Sequence, residues 1–283
     1  MAGPIDLVEL AGGLAISLAI GLLGYWRGAL KSGGVVGAVI TGTLIFGLGG
    51  WEWGMLLIAF FVSSSALSFY RAGDKEGLAE KFAKGHRRDL GQALANGGVA
   101  AAVAMLSKLL PPSGAGWEGG WFAACAGALA AVNADTWATE LGVLSPSSPR
   151  LITTGKRVEV GTSGGVTWLG MAASLGGAAF IGLLGGLGLL ILGQGWAAAG
   201  ALLLAATAGG LAGSLFDSLL GATVQGIYYC GRCAKETETP THHCGQAALP
   251  LRGWGWLNND LVNFLASLVG GLASASLAWL LWR

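Results

Sequence analysis

The chain has 283 residues, of which 53% are hydrophobic and only 11% are charged, with a formal net charge of +1. Soluble domains carry about 25% charged residues, so this composition excludes an ordinary globular protein and indicates a polytopic membrane protein. The near-zero net charge argues against nucleic acid as a partner. Glycine is abundant, at 51 residues, which is typical of membrane helices whose backbones pack closely.

Apolar segments predict an all-α bundle of about eight membrane spans (7–9), in which residues 1–283 form a single transmembrane domain. The predicted spans are about 5–26, 33–50, 52–70, 92–110, 119–141, 164–192, 196–228 and 259–282. The sixth and seventh predicted spans are longer than the roughly 20 residues that a membrane crossing needs. We expect tilt, or a break in the seventh span at its glycines 209, 210 and 213.

Basic residues are distributed asymmetrically between the predicted loops. Of the 16 Lys and Arg residues, 14 follow spans one, three, five and seven. The positive-inside rule therefore places these loops in the cytoplasm and both termini outside, as expected for a multi-pass inner (plasma) membrane protein. The three large cytoplasmic segments are a basic loop at 71–91, a loop at 144–165 and a hairpin at 229–257. In the first, Arg87 and Arg88 lie closest to the membrane and are candidates to meet phosphate or lipid headgroups.

Polar side chains occur at the predicted cytoplasmic ends of four spans. The segments are GQALANGG (91–98), NADTWATELG (133–142), GSLFDSLLGATVQ (213–225) and NNDLVN (258–263). One such helix end can simply surface into water, and a structural polar network can explain one or two. Because four helices share the pattern, we favour a functional site, since a charge at the bilayer centre costs roughly 2.5–3.5 kcal/mol on insertion scales.

The residue types in these segments suit Mg²⁺, which takes oxygen ligands and is held by one or two carboxylates plus substrate phosphates. The candidate carboxylates are Asp135, Glu140, Asp217 and Asp260, of which Asp135, Asp217 and Asp260 are the candidate ligands. The pattern does not separate direct ligands from supporting residues. Candidate substrate-binding residues at the same helix ends are Asn96, Asn133, Ser214, Asn259 and Asn263.

A glycine-rich loop precedes the sixth span, in the segment RLITTGKRVEVGTSGGVTWLG (150–170). We expect Thr162 or Ser163 to cap the helix, with the N–H groups of Ser163, Gly164 and Gly165 forming an anion site at its N-terminus. Lys156 and Arg157 add positive charge. The alternative is an ordinary glycine-rich cap with flanking basic residues. Beside an acidic cluster, the phosphate-binding interpretation is favoured, because a metal and a phosphate cradle together make a phosphoryl-transfer site.

The hairpin between spans seven and eight contains CGRCAKETETPTHHC (230–244). In a reducing cytosol, a CxxC followed by His-x-Cys indicates a metal rather than a disulfide. Cys230, Cys233, His242 and Cys244 would complete a tetrahedral Cys₃His zinc site, with His243 as the rival fourth ligand. Such a site has no open position, so we expect a structural role.

These motifs together resemble the integral-membrane family that includes transmembrane protein nineteen and plant phytyl-phosphate kinase, over roughly residues 30–275. The resemblance implies a Mg²⁺-dependent kinase that converts a prenyl monophosphate of the phytyl or geranylgeranyl type into the diphosphate. The implied donor is a nucleoside triphosphate, CTP ahead of ATP. The residues that match the family motifs are Asp135, Glu140, Asp217, Asn259, Asp260, Thr154, Lys156, Thr162 and Ser163.

The leading hypothesis is therefore a prenyl-phosphate kinase whose isoprenoid tail lies between helices and whose phosphate sits at the cytoplasmic face. In this hypothesis Mg²⁺ bridges the donor and acceptor phosphates, and Lys156 with the glycine-rich loop holds the triphosphate. Two alternatives remain open: a lipid transporter or flippase, and a cytidylyltransferase that acts on a lipid phosphate. The sequence does not specify prenyl chain length, metal count or oligomeric state.

Overall fold

The computed structural model describes residues 6–71, 87–110 and 118–282. These ranges contain eight long helices that match the predicted spans: α1 (Leu7–Trp26), α2 (Ser32–Leu44), α3 (Trp51–Phe69), α4 (Leu90–Leu109), α5 (Glu118–Gly142), α6 (Trp168–Ile191), α7 (Gly195–Thr223) and α8 (Asn259–Leu281). A π-helical turn, Ile45–Gly49, extends α2. The predicted all-α bundle is confirmed. Most of the predicted basic loop at 71–91, residues 72–86, lies outside the described residues.

Helix α5 lies at the centre of the bundle. It packs against α3, α4, α6, α7 and α8, and every residue from Phe122 to Ala134 is buried. The other seven helices are long and apolar enough to cross a membrane. Because protein rather than lipid surrounds α5, this helix can carry Asn133 and Asp135 without exposing them to hydrocarbon.

Glycines let α7 approach its neighbours closely. A Cβ added at Gly210 would lie 2.7 Å from the Cβ of Ala130 in α5, and one at Gly209 would lie 2.5 Å from the carbonyl oxygen of Gly270 in α8. Helix α7 itself runs without interruption over 29 residues. The expected break at residues 209, 210 and 213 is therefore wrong. These small residues serve helix packing, as is common in membrane proteins.

Two small sheets form the helix connections at the end of the bundle where α5 and α7 terminate. Between α5 and α6, β1 (Arg150–Leu151) pairs antiparallel with β2 (Gly165–Val166). Between α7 and α8, a sheet of order β4-β3-β5 contains β3 (Ile227–Cys230), β4 (Lys235–Thr237) and β5 (Leu249–Arg252). Arg252 ties the two connections together, since Nη1 donates to the carbonyl of Gly221 at 2.6 Å and Nη2 to that of Ser163 at 3.2 Å.

The glycine-rich loop does not begin a helix. Helix α6 starts at Trp168, and its cap is Thr167, whose hydroxyl accepts the N–H of Gly170 at 3.0 Å. Gly161 and Gly164 have φ values of +83° and +81°, a left-handed conformation that ends any helix. The predicted caps at 162 or 163 and the predicted start at 164 are therefore wrong. The loop instead leads into β2, and a side chain at Gly164 would collide with the backbone of Ala222.

Candidate active site

A single cavity of about 300 Å³ receives side chains from helices α3 to α8 and from both connections. We call it the polar cavity. Its polar lining consists of the carboxylates Asp135, Glu140, Asp217 and Glu238, the amides Gln92, Asn96, Asn259 and Asn263, the guanidinium of Arg88, and the hydroxyls Ser68, Thr136, Thr139, Thr162, Ser163, Thr167, Ser174, Ser214 and Ser218. Gly164 and Gly165 also line it. Eleven of the predicted site residues meet here although they are far apart in the chain: Asn96, Asp135, Glu140, Thr162, Ser163, Gly164, Gly165, Ser214, Asp217, Asn259 and Asn263.

Three of the carboxylates lie near one another. Asp217 interacts electrostatically with Asp135 and with Glu238, and Asp135 also interacts with Glu238. The Oδ2 atom of Asp217 is buried and accepts no hydrogen bond from the residues that the structure describes. A buried carboxylate oxygen in this state calls for a cation or a proton, because an unsatisfied charge is costly in a low-dielectric site.

The carboxylates do not form a closed metal cage. Within residues 6–71, 87–110 and 118–282, one group of potential metal ligands has its ligand atoms within 4.8 Å of one another. It consists of three cysteines and a histidine, which are described below, and contains none of these carboxylates. The acids of the polar cavity are more widely spaced. Mg²⁺ does not require such a cage, because it retains waters and is commonly held by one or two carboxylates together with substrate phosphates.

Glu238 is a lining residue that sequence reasoning missed. It lies just after β4, and its Oε1 accepts a hydrogen bond at 3.1 Å from Nε2 of the buried Gln225. The Oε1 of Gln225 in turn accepts from the hydroxyl of Ser163 at 2.8 Å. The hairpin between α7 and α8 is thereby connected to the glycine-rich loop. In the sequence, the surrounding polar residues resemble a solvated turn, and no helical or strand period points Glu238 towards α5.

Among the residues that the structure describes, Arg88 is the basic side chain that lines the polar cavity. Its Nη2 and Nη1 atoms donate to the hydroxyls of Ser64 at 2.9 Å and Ser65 at 3.1 Å. Burial lowers the pKa of Arg88, and the charge of Glu140 acts in the opposite direction. Ser68 donates to Oε1 of Glu140 at 2.6 Å. Arg88 is thus a partly buried cation that is held in position by α3 and faced by a carboxylate of α5.

A second, apolar cavity of about 60 Å³ adjoins the polar cavity, and Arg88 and Asn96 line both. It lies between α1, α2, α3 and α4. Its apolar lining includes Leu30, Phe46, Leu57, Phe60, Phe61, Ala93 and Gly97. The guanidinium of Arg88 lies over the rings of Phe60 and Phe61, at 5.7 and 5.9 Å from their centroids. Arg88 and Asn96 therefore stand at the boundary between a polar and an apolar lining.

Some predicted residues do not line the polar cavity. Lys156, Arg157 and Thr154 are exposed on the turn that joins β1 to the glycine-rich loop. Asp260 is partly buried at the start of α8, whereas its neighbour Asn259 is a lining residue. The proposed roles of Lys156 in holding the triphosphate and of Asp260 as a magnesium ligand remain predictions, and the lining of the cavity gives them no support.

Asn133 is a bridge between helices rather than a cavity residue. It is fully buried. Its Oδ1 accepts from the hydroxyl of Ser63 in α3 at 3.0 Å, and its Nδ2 donates to the carbonyl of Gly177 in α6 at 2.8 Å. These partners already engage the amide and the side chain does not line the cavity, so the geometry gives no support to the prediction that Asn133 binds substrate, which stays a prediction.

The cysteine hairpin brings four potential metal ligands together: Cys230, Cys233, His242 and Cys244. We call this group the knuckle. Its ligand atoms all lie within 4.8 Å of one another, and Nδ1 of the buried His242 is 3.2 Å from Sγ of Cys244. This group could hold a metal such as zinc. The ring of His243 is tilted by 58° against the ring of His242, with centroids 4.0 Å apart, and His243 does not belong to the knuckle.

The protonation of the knuckle suits metal binding. The hydrogen bond with His242 lowers the pKa of Cys244 to about 6, so this thiol is largely ionised at neutral pH. A hydrogen bond with Cys244 raises the pKa of Cys233 to about 11. The cluster thus shares protons between sulfur atoms, and a metal ion would replace those protons, since the thiolate is the ligand form.

Comparisons with known proteins agree with the architecture. Residues 15–271 match the family described as "Integral membrane protein DUF92". Protein PGR of Arabidopsis thaliana is 34% identical over 276 residues, covering 90% of this chain and 91% of that protein. A membrane protein of Methanocaldococcus jannaschii, described as uncharacterized, is 33% identical over 243 residues, covering 86% and 83%. No solved structure matches.

The matched region contains α2 to α7 in full, together with α1 from residue 15 onwards and α8 up to residue 271. The family resemblance expected from the motifs is thereby confirmed, as is an integral, multi-pass membrane protein. The chain belongs to the DUF92 family of integral membrane proteins.

Proposed function

We propose that the protein is a kinase that transfers the γ-phosphoryl group of a nucleoside triphosphate, CTP ahead of ATP, to a membrane-embedded prenyl monophosphate. The observation that carries this proposal is the convergence of four carboxylates, a partly buried arginine and a glycine-rich loop on one cavity. The basic residues Arg27, Lys31 and Arg150 belong to the connections at this end of the bundle, which supports an orientation towards the cytoplasm.

The charge of the polar cavity supports a requirement for divalent cations. The described lining residues include four carboxyl groups and one guanidinium. A phosphate bound beside these carboxylates is repelled by those that are ionised, and a divalent cation would offset that repulsion. Asp217, with its buried Oδ2, and Asp135 would hold Mg²⁺, which when bound neutralises the phosphates and aligns donor with acceptor.

The chemistry then requires little base catalysis. An oxygen of the acceptor monophosphate, largely ionised near neutral pH because its second pKa is about 6, attacks the γ-phosphorus. That bond forms as the bond from the γ-phosphorus to the β–γ bridging oxygen breaks, and the nucleoside diphosphate leaves. Arg88 would neutralise charge on the transferring group, and the hydroxyls of Thr162 and Ser163 would orient the phosphates.

The adjoining cavities support a lipid acceptor. Arg88 and Asn96 stand where the polar and apolar cavities meet, so an acceptor phosphate held there would direct its tail between α1, α2, α3 and α4. The transporter alternative expects polar groups near the bilayer midplane, often in discontinuous helices. The unbroken α7 and the position of the acids near helix ends favour the kinase.

A product analysis tests this function. Purified protein in nanodiscs is supplied with Mg²⁺, CTP or ATP, and a panel of prenyl monophosphates, and the products are identified by mass. The proposal expects a lipid product that has gained one phosphoryl group, together with a nucleoside diphosphate. Pyrophosphate release with a cytidylylated lipid, or no lipid product with any acceptor, would overturn it.

A further inference from the structure

Building on the proposed function, we infer that Gln225 and Arg252 are positioning residues that hold the glycine-rich loop against the end of α7, with Ser163 in the polar cavity. The inference rests on the proposed role of this loop in orienting the phosphates of the nucleotide. Gln225 and Arg252 are not among the described residues that line the cavity, so each would act through Ser163 rather than by touching a substrate.

The glycine-rich loop requires contacts with the rest of the bundle to fix its position. Ser163 lies between Gly161 and Gly164, which both have positive φ values, and glycine restricts the backbone less than any other residue. A turn bond from the N–H of Gly165 to the carbonyl of Thr162, at 2.9 Å, shapes the loop itself. This bond is local, so it does not determine where the loop lies relative to α7.

Gln225 holds the side chain of Ser163. It is the second residue after α7 and is only 1% exposed. Its Oε1 accepts the hydroxyl of Ser163 at 2.8 Å, and its Nε2 donates to Oε1 of Glu238 at 3.1 Å. An amide nitrogen only donates. The bond to a carboxyl oxygen therefore orients the amide so that its own oxygen faces Ser163.

Arg252 holds the backbone of the same loop residue. Its Nη2 donates to the carbonyl of Ser163 at 3.2 Å, and its Nη1 donates to the carbonyl of Gly221, in the last turn of α7, at 2.6 Å. A cation is favourable beside the carbonyls at a helix C-terminus, and hydrogen bonds from a charged donor are stronger than neutral ones. The loop and the helix end are in close contact, since a Cβ added at Gly221 would lie 2.7 Å from Oγ of Ser163.

The connection between α7 and α8 thus holds the connection between α5 and α6 at the polar cavity. Without Gln225 or Arg252, the loop would move about its glycines while the helices keep their positions. Asp135, Asp217 and Arg88 do not belong to the loop. Under the proposed function, a displaced loop would therefore weaken nucleotide binding more than it slows the transfer step.

Hydrogen exchange tests the position of the loop without any substrate. In full-length protein in nanodiscs, Gln225→Leu should speed amide exchange in a peptide spanning residues 159–167 by about tenfold, the size expected for one lost hydrogen bond. Ser163→Ala should have the same effect, and the double variant should show no further change, because both substitutions remove one bond.

The matched control is Thr223→Val. Thr223 is exposed two residues before Gln225, and its hydroxyl donates to the carbonyl of Leu219 within α7. A peptide from the buried part of α5, residues 122–134, should exchange alike in all variants, which separates local loosening from unfolding. Loop exchange in Gln225→Leu that matches Thr223→Val, or effects that add in the double variant, would overturn the inference.

Kinetics separates positioning from a purely structural role. Gln225→Leu and Arg252→Ala should each raise the KM for the nucleotide by roughly tenfold and change kcat by less than about threefold. Arg252→Lys keeps a cation that can bond one of the two carbonyls, so it should restore most of the lost affinity. A fall in kcat at unchanged KM would overturn the inference.

If Arg252→Ala does not fold, Gln225→Leu and Arg252→Lys provide the same comparison. Absence of phosphoryl transfer by the unmodified protein would contradict the proposed function. The exchange measurement would still decide whether Gln225 holds the loop, because it uses no substrate.

Discussion

The polar cavity and the knuckle both gather potential cation ligands, but they are built in opposite ways. The four ligand atoms of the knuckle lie within 4.8 Å of one another, so these four side chains could fill a tetrahedral shell without further ligands, as in structural zinc sites. The carboxylates of the cavity are electrostatic neighbours without such convergence. A closed site stabilises a fold, whereas an open site leaves positions for substrate. Under the proposed function, this contrast favours a structural role for the knuckle and phosphoryl transfer for the cavity.

The largest effect is expected at the open site. Asp217→Asn removes a carboxylate from the polar cavity while keeping its shape, so phosphoryl transfer should fall by about 10³-fold or more, as for other groups that act on transition-state charge. The melting temperature should stay the same or rise, because repulsion with Asp135 and Glu238 is relieved. Transfer assays and thermal melts on the same preparation measure both. Residual activity above about one tenth would mean that the acids of the cavity are structural.

Arg88 provides the next largest expected effect. Arg88→Ala should reduce transfer by about 10²-fold, because it removes the guanidinium that faces the cavity. Arg87→Ala is the control, since Arg87 is exposed and donates to the carbonyl of Leu30 instead. Rates at saturating nucleotide and lipid distinguish the two variants. Equal rates for both would contradict a role for Arg88 in the chemistry.

At the closed site we expect a loss of stability and a smaller loss of activity. Cys233→Ser should reduce zinc content from about one ion per chain to none and lower the melting temperature, because metal binding and folding of such a hairpin are coupled. Transfer should fall by roughly tenfold or less, because the knuckle belongs to the hairpin that carries Glu238, a lining residue of the polar cavity. The control is Cys125→Ala, which removes a buried thiol within α5. This variant should retain the zinc content of the unmodified protein. Elemental analysis together with melting curves checks this, and full zinc content in Cys233→Ser would contradict the assigned ligand.

The smallest effect is expected at Lys156. This side chain is exposed on the turn after β1 and does not line the polar cavity, so Lys156→Ala should change transfer by less than about fivefold, the range of an exposed charge. The Michaelis constant for the nucleotide is the sensitive measurement. A large increase would show that the turn closes over the nucleotide and that the phosphate-binding role expected from the motif is correct.

Features with a strong local signal could be predicted from the sequence. Continuous apolar runs identified the eight helices, and the polar stripes on α5 and α7 identified Asp135 and Asp217, because a helical period fixes which residues share a face. The spacing of Cys230 and Cys233 identified the knuckle, since the ligand set is compact in the chain.

Other features depend on tertiary contacts that a single sequence does not reveal. In the sequence, Gly209 and Gly210 look the same whether they break a helix or allow a neighbouring helix to approach closely. Only the positions of Ala130 and Gly270 show that these glycines allow close packing. Glu238 enters the cavity because the hairpin folds back on the bundle. Lys156 and Ser163 belong to one motif, yet the left-handed glycines turn the loop so that Ser163 lines the cavity and Lys156 does not.

The fate of the γ-phosphoryl group tests the central claim most directly. Protein reconstituted with a prenyl monophosphate and Mg²⁺ is given CTP labelled at the γ-phosphorus, and the lipid and nucleotide fractions are separated. We predict that label moves to the lipid with the unmodified protein and not with Asp217→Asn. Label that remains on the nucleotide, or equal transfer by both proteins, would contradict a phosphoryl-transfer site in the polar cavity.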